Sequence, residues 1–178
     1  MKPGNSSNNI YLGAKAGTYT TNGSNNIALG VCAGACTQSS NDNIFMGVLT
    51  GACSCSASNN IFMGNRAGQL NTFGKYNTFL GKYSGQSNTS GCHNFFAGFC
   101  AGYASTTGTE NIFIGNQTGR STTRGLRNIF LGSLAGFTNT FGCNNIFAGH
   151  CAGYWNTSGR ENIFLGRCSG MCTTTAHL

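Results

Sequence analysis

The chain has 178 residues, of which 39% are hydrophobic and only 7% are charged, and its formal net charge is +7. No apolar run approaches the roughly 18 residues of a transmembrane helix, and the N-terminal "MKPGNSSNNIYLG" lacks the apolar core of a signal peptide. We therefore expect no membrane insertion, and the many neutral polar residues indicate a surface of the kind common in extracellular fibres.

A 17-residue repeat runs through nearly the whole chain, with the consensus N-I-F-L-G-x-x-A-G-x-x-x-x-x-G-x-x. We number its columns from zero at the Asn. The repeat predicts a lead-in over 1–8, a ten-coil solenoid over 9–172 and a tail over 173–178. The ten Asn residues that define the register are Asn9, Asn26, Asn43, Asn60, Asn77, Asn94, Asn111, Asn128, Asn145 and Asn162.

The length and composition of the unit predict an all-β fold. A helical hairpin repeat needs roughly 33 to 45 residues, whereas Ile and Phe in columns one and two favour a short strand. Columns four and eight are always Gly, so we expect Gly47, Gly64 and Gly68 to mark turns. The sequence thus predicts a β-solenoid, a parallel β-roll of ten 17-residue coils. A disordered Gly/Asn-rich tract is the alternative, and it lacks bulky apolar residues in fixed register.

The predicted strand is apolar on both of its faces. Columns one and three point one way, and columns zero and two point the other. A Phe column facing water would be an apolar stripe that soluble monomers avoid, so we predict that it packs against other chains in a homotrimer or stacked filament. Two alternatives stay open: Phe fills the coil while Ile and Leu make the interface, or a wider coil encloses all of them. The predicted interface residues are Phe45, Phe62, Phe79, Phe96, Phe113, Phe130, Phe147 and Phe164.

The Asn column has two candidate roles, both structural. Stacked side-chain amides can hydrogen-bond along the solenoid as a ladder. Asn also tolerates the left-handed backbone region and can cap a turn with its own side chain. We expect Asn26, Asn43 and Asn60 to serve one of these roles rather than to bind a ligand.

The repeat word resembles two related groups of fibrous proteins. "NIFLG..AG" is similar to the head repeats of trimeric autotransporter adhesins, a family whose fold is a left-handed parallel β-roll of three chains about one axis. The match is closer to Gly/Asn/Thr-rich repeats of phage tail-fibre and bacterial surface proteins, as in "NTFLGKYSGQSNTSG" over 77–91. The resemblance covers all ten repeats and implies architecture more than function. Adhesin heads differ in having small residues where this chain has Phe, and in lacking cysteine.

The ten cysteines fall into recurring pairs. In one type, the two cysteines lie in columns six and ten of the same coil. In the other, one lies in column fifteen and its partner in column six of the next coil. Cys53 and Cys55 form the remaining pair. These spacings predict local disulfides and an oxidising, extracellular setting. A stacked pair of Cys36 and Cys53, or free buried thiols, are the alternatives, and no His stands at metal-ligand spacing. The predicted pairs are Cys32–Cys36, Cys53–Cys55, Cys92–Cys100, Cys143–Cys151 and Cys168–Cys172.

No catalytic constellation is visible, so we expect no enzyme and no cofactor. The only acids are Asp42, Glu110 and Glu161; the last two share a column three coils apart, about 14 Å by strand spacing and too far for paired acid–base chemistry. His150 precedes Cys151, but adjacent residues on a strand point to opposite sides.

These observations predict a structural protein, the fibre-forming building block of an extracellular or virion-associated filament that binds copies of itself. Neither end of the repeat has an obvious cap, so we expect either that the chain is cut from a longer fibre protein or that its ends stack head to tail on the next copy. The alternative is an adhesin or receptor-binding head of a tail fibre, which grips surface glycans with its polar turns and basic residues. An ice-binding solenoid would need a flat, regular Thr array, and columns nine to thirteen vary too much for one. We expect no nucleic-acid partner.

Overall fold

Each copy of the apolar word forms one three-residue strand. The computed structural model describes residues 7–175, so most of the predicted lead-in over 1–8 and half of the predicted tail over 173–178 lie outside it. The strands are β1 Ile10–Leu12, β2 Ile27–Leu29, β3 Ile44–Met46, β4 Ile61–Met63, β5 Thr78–Leu80, β6 Phe95–Ala97, β7 Ile112–Ile114, β8 Ile129–Leu131, β9 Ile146–Ala148 and β10 Ile163–Leu165.

The strands form one parallel sheet in sequence order, from β1 to β10. Each strand pairs with the next in a register of 17 residues, so that Ile44 faces Ile61 and Phe45 faces Phe62. Backbone hydrogen bonds between coils continue outside the strands, for example from the amide of Gly51 to the carbonyl of Ala67 at 3.0 Å. The fold is the predicted all-β solenoid, whereas the trimer and the filament remain proposals.

The Phe column lies inside the coil, and its predicted place at a subunit interface was wrong. Seven of the eight Phe side chains are fully buried within the single chain, and only Phe164 in the last coil is partly exposed. From Phe62 to Phe164 the rings stack on one another with centroids 4.7–4.9 Å apart. The buried side chains are Phe45, Phe62, Phe79, Phe96, Phe113, Phe130 and Phe147.

The missing side chain of the column-eight glycine makes room for each ring. Gly68 has a φ of 55°, and a Cβ on it would lie 2.5 Å from Cδ2 of Phe62. The glycines of column four are close to backbone instead: Gly47 and Gly64 have φ near 130°, and a Cβ would meet the glycine carbonyl of the next coil. Both columns therefore lie at turns, and column eight also determines which side of the strand is the core.

Columns zero and two share the core, and the buried Asn residues form a continuous ladder. The Oδ1 atom of Asn26 accepts from the backbone amide of Asn43 at 3.1 Å and from its Nδ2 at 2.9 Å, while Nδ2 of Asn43 also donates to the carbonyl of Ala57 at 2.8 Å. Asn60 repeats the arrangement on Asn43. The ladder Asn residues do not themselves adopt the left-handed backbone conformation. The residue before each of them does, such as Asn25 with a φ of 59°.

Gly51→Ala should destabilise the fold by about 2–4 kcal/mol, because it combines a left-handed backbone with overpacking. A Cβ at this position would lie 2.5 Å from Cε1 of Phe45. The measurement is urea unfolding followed by circular dichroism. Gly108→Ala is the matched control, since its column already holds Ser40 and Ala57 and its backbone is not left-handed. A Cβ there would lie 2.8 Å from the carbonyl oxygen of Gly125, so we expect a smaller loss than at Gly51 rather than none. Equal losses in the two variants would contradict the packing account.

Asn111→Asp should destabilise the protein strongly at pH 7 and much less near pH 4. The Nδ2 atom of Asn111 donates to Oδ1 of Asn94 and to the carbonyl of Gly125, so a carboxylate there would be buried against two acceptors. Its folded-state pKa would rise above the unfolded value of about 3.9, and the penalty, about 3 kcal/mol or more, would disappear as protonation restores a donor.

Urea unfolding of wild type and variant at both pH values checks this prediction, with the exposed Asn144→Asp as the control. A penalty for Asn111→Asp that does not change with pH would show that the ladder does not depend on its donors.

Candidate functional site

The outward face of the ten strands carries twelve of the 22 large hydrophobic side chains that are exposed among the described residues. Columns one and three supply twenty side chains, none of them charged and only Thr78 polar. We call these two columns the outer sheet face. Its most exposed apolar residues are Ile10, Leu12, Met46, Ile61, Met63, Phe95, Ile112, Ile114, Leu131, Ile146, Ile163 and Leu165.

The dimensions of the outer sheet face are those of a contact surface. Ten strands spaced by about 4.8 Å make it about 43 Å long, and the two columns make it about 10 Å wide. The resulting area of roughly 430 Å² is comparable to the largest apolar patches on soluble monomers, which are often functional. Exposed Val48 and Phe99 of column five extend it on one side.

A second surface alternates cations and aromatic rings along the solenoid. Lys82 Nζ lies 5.0 Å and Arg66 Cζ 5.9 Å from the ring centre of Tyr83. Arg120 Cζ lies 5.4 Å from the ring centre of Tyr103 and 5.6 Å from that of Phe137. The rings also contact one another, ending at Trp155. We call this set the cation–aromatic strip: Arg66, Lys82, Tyr83, Phe99, Tyr103, Arg120, Phe137, Tyr154 and Trp155.

Charge is segregated around the coil. All three acids, Asp42, Glu110 and Glu161, lie in column sixteen, where Glu110 accepts from Arg127 at 2.9 Å in an exposed pair. Within the described residues, columns five to ten hold five cations and no acid, so this side has a positive potential. The five cations are Lys15, Arg66, Lys82, Arg120 and Arg167.

One regular column was missed in the sequence. Column twelve is Thr in seven successive coils, from Thr72 to Thr174. The hydroxyls of six of these threonines donate to the threonine carbonyl of the next coil at 3.0–3.1 Å. The column is a hydrogen-bond ladder at a turn. Its signal was visible in the sequence but was diluted by the variable columns around it.

All ten cysteines are free thiols in the structure, so the predicted disulfides stay predictions. Burial raises the pKa of the Cys53 thiol, and the neighbouring Cys36 and Cys55 raise it further. Burial likewise raises the pKa of Cys151, with a further increase from Cys168 and an opposing effect of Arg167. Burial also raises the pKa of Cys36, and Cys55 of the next coil raises it further. The thiols that raise these pKa values therefore include thiols of a neighbouring coil as well as of the same coil.

A cysteine and a histidine lie next to each other in the ninth coil. His150 Nε2 lies 3.7 Å from Sγ of Cys151, closer than the sequence suggested, because Cys151 has a φ of 57° and belongs to a turn. Burial nonetheless raises the pKa of this thiol, which opposes its activation as a nucleophile. Among residues 7–175, no group of three or more Cys, His, Asp or Glu is placed to hold a metal ion.

Comparisons with known proteins do not indicate a function. No family model, curated protein or solved structure matches it. The part of the chain that the structure describes contains no helix of the length and hydrophobicity needed to span a membrane. The functional assignment therefore depends on the two surfaces and on the cysteines.

Proposed function

We propose that this chain is a structural, fibre-forming repeat protein, a building block of an extracellular or virion-associated filament. The observation that carries the proposal is the outer sheet face, which is apolar along all ten strands. Sheets pack face to face at about 10 Å when both faces are apolar. The proposed occupant is a second copy of this chain, whose face has the same length and lacks charge in the same way.

The buried area supports self-association. Two outer sheet faces packed together would bury roughly 860 Å², just under the roughly 1,000 Å² at which specific interfaces begin, and the exposed Val48 and Phe99 beside each face would add to that area. Such an interface resembles obligate homo-oligomers, which are more apolar than transient complexes. We propose that this face lies between the chains of a homotrimer around one axis, or between paired rods of a stacked filament that end-to-end contacts extend. In either assembly Ile and Leu, rather than Phe, lie between the chains.

The interior of the coil suits a stiff rod. Stacked aromatic rings each add about 0.5–1.5 kcal/mol beyond the area that they bury, and the Asn ladder satisfies the buried amides from coil to coil. Short turns held by hydrogen bonds to the neighbouring coil offer proteases few extended segments. These properties support a mechanical role more than a catalytic one.

A second candidate function is adhesion to acidic surface glycans through the cation–aromatic strip. Five cations without an acid on that side favour a polyanion. The strip spans six coils, from Arg66 to Trp155, or about 24 Å. We rank it second because the cations already lie over the faces of the rings, which leaves fewer ring faces for a sugar.

Ile112→Lys combined with Ile114→Lys should convert the assembled protein to monomers. The two side chains are 39% and 41% exposed in the single chain, so the lysines should not disturb its core. Burying two unpaired ammonium groups should raise the apparent dissociation constant by about 100-fold or more. Sedimentation velocity across a concentration series measures the change.

Phe73→Lys is the control for this experiment, because Phe73 is 61% exposed but lies outside the outer sheet face. It should leave the assembly intact. A wild-type chain that stays monomeric at high micromolar concentration, or equal dissociation of both variants, would overturn the self-association proposal.

The glycan alternative predicts that heparin, a sulfated polysaccharide, changes the fluorescence of the single tryptophan. Trp155 is 48% exposed at the end of the strip, and uncharged dextran should have no effect. Arg120→Ser should weaken heparin binding several-fold more than Arg124→Ser, which removes the same charge outside the strip. Equal weakening by both changes would indicate non-specific attraction of a basic protein.

A further inference from the structure

Equivalent side chains of consecutive coils lie close enough to react with one another. In column nine, Nε2 of Gln86 donates to Oε1 of Gln69 at 2.9 Å. Rings that share a column stack with centroids 4.9 Å apart, as Tyr76 does on His93 and Phe137 on Tyr154. Disulfides need Cα atoms between about 4.4 and 6.8 Å apart, and parallel strand spacing of about 4.8 Å lies within that range. They also need Cβ atoms about 3.5–4.5 Å apart, so the two side chains have to approach each other by several tenths of an ångström.

Two pairs of cysteines occupy such stacked positions. Cys36 and Cys53 are both in column ten, and their backbone amides bond to the next coil in the same way, each at 3.0 Å. Cys151 and Cys168 are both in column six, with nearly equal φ values of 57° and 56°. The two members of each pair therefore repeat the same backbone geometry in adjacent coils.

We infer that these are two axial disulfide sites, Cys36–Cys53 and Cys151–Cys168, each joining one coil covalently to the next. They replace the predicted local bonds Cys32–Cys36, Cys53–Cys55, Cys143–Cys151 and Cys168–Cys172. The first would tie the coil of β2 to that of β3, and the second would tie the coil of β9 to that of β10. The inference does not depend on self-association, because both partners belong to one chain.

The chemistry is thiol–disulfide exchange with a small-molecule disulfide such as oxidised glutathione. The thiolate of one cysteine attacks the reagent, releasing one small thiol and leaving a mixed disulfide. The stacked partner then loses its proton and attacks the protein sulfur of that bond, releasing a second small thiol. The protein loses two protons and two electrons in total, and the reagent gains them.

Local pairing is the competing outcome, and the cleavage sites separate it from axial pairing. Trypsin cuts after Arg127, Arg160 and Arg167, which places Cys143 and Cys151 on the peptide 128–160 and both Cys168 and Cys172 on 168–178. A local bond stays inside one peptide. An axial bond joins the two peptides.

Cyanogen bromide performs the same separation at the other site. It cuts after Met46 and Met63, so that Cys32 and Cys36 leave on the fragment ending at Met46. Cys53 and Cys55 leave together on the fragment 47–63. Fragments that stay joined without reductant and part with it indicate axial pairing, and tandem mass spectrometry identifies the cysteines.

The experiment uses the full chain, purified reduced, oxidised with glutathione disulfide, alkylated and mapped without reduction. We expect the 128–160 peptide joined to 168–178, and the corresponding pair of cyanogen bromide fragments. Cys168→Ser should abolish the tryptic cross-link, whereas Cys143→Ser and Cys172→Ser should leave it intact. Oxidation should also raise the melting temperature of wild type by several degrees more than that of Cys168→Ser.

Three results would overturn the inference. The first is a bond within either tryptic peptide or within either cyanogen bromide fragment. The second is a joined pair whose linked residues include Cys32, Cys55, Cys143 or Cys172 in place of the stacked cysteine. The third is recovery of the four thiols alkylated after prolonged oxidation. Each result is visible in the same peptide map, even if no variant is stable.

Discussion

The contact between a phenylalanine ring and a glycine without a side chain sets the width of the coil. Column eight turns through a left-handed glycine, and the ring of column two occupies the space that a Cβ would need. With only one ring per coil inside, the other two apolar residues of each strand have to face outward. The outer sheet face is thus a consequence of the core, because a 17-residue coil cannot bury both sides of its strand.

Strict periodicity extends this local contact into a long-range property. Since every coil has the same length, each side chain lies beside its own equivalent, and favourable pairs recur along the whole solenoid. Phe stacks on Phe, Asn bonds to Asn and Thr bonds to the next Thr carbonyl. The stabilising free energy of a favourable pair is therefore gained again at each successive coil, as in other repeat proteins with nearest-neighbour energetics. Unfavourable pairs would be multiplied too, and this explains why the charged positions vary from coil to coil.

The sequence was sufficient to predict the fold class, the period, the parallel stacking and the apolar excess of the strand, because these depend on residue type and spacing. It did not show which face was inside. Ile and Phe are both good core residues, and the decision depends on how a ring fits over Gly68, a contact between residues on opposite sides of a turn. The proximity of His150 to Cys151 was missed for a similar reason, since alternation applies to strands and Cys151 lies in a turn.

The buried amides give the rod a polarity. In each step of the ladder the backbone amide of the later Asn donates to Oδ1 of the earlier Asn, from Asn43 on Asn26 to Asn162 on Asn145. At seven of these eight steps Nδ2 of the later Asn donates to the same oxygen. All of these dipoles therefore point the same way along the axis, and neighbouring bonds in such a chain strengthen one another. The two directions along the solenoid axis are therefore chemically distinct. Any coil that extends the ladder has to keep the same orientation of its Asn amide.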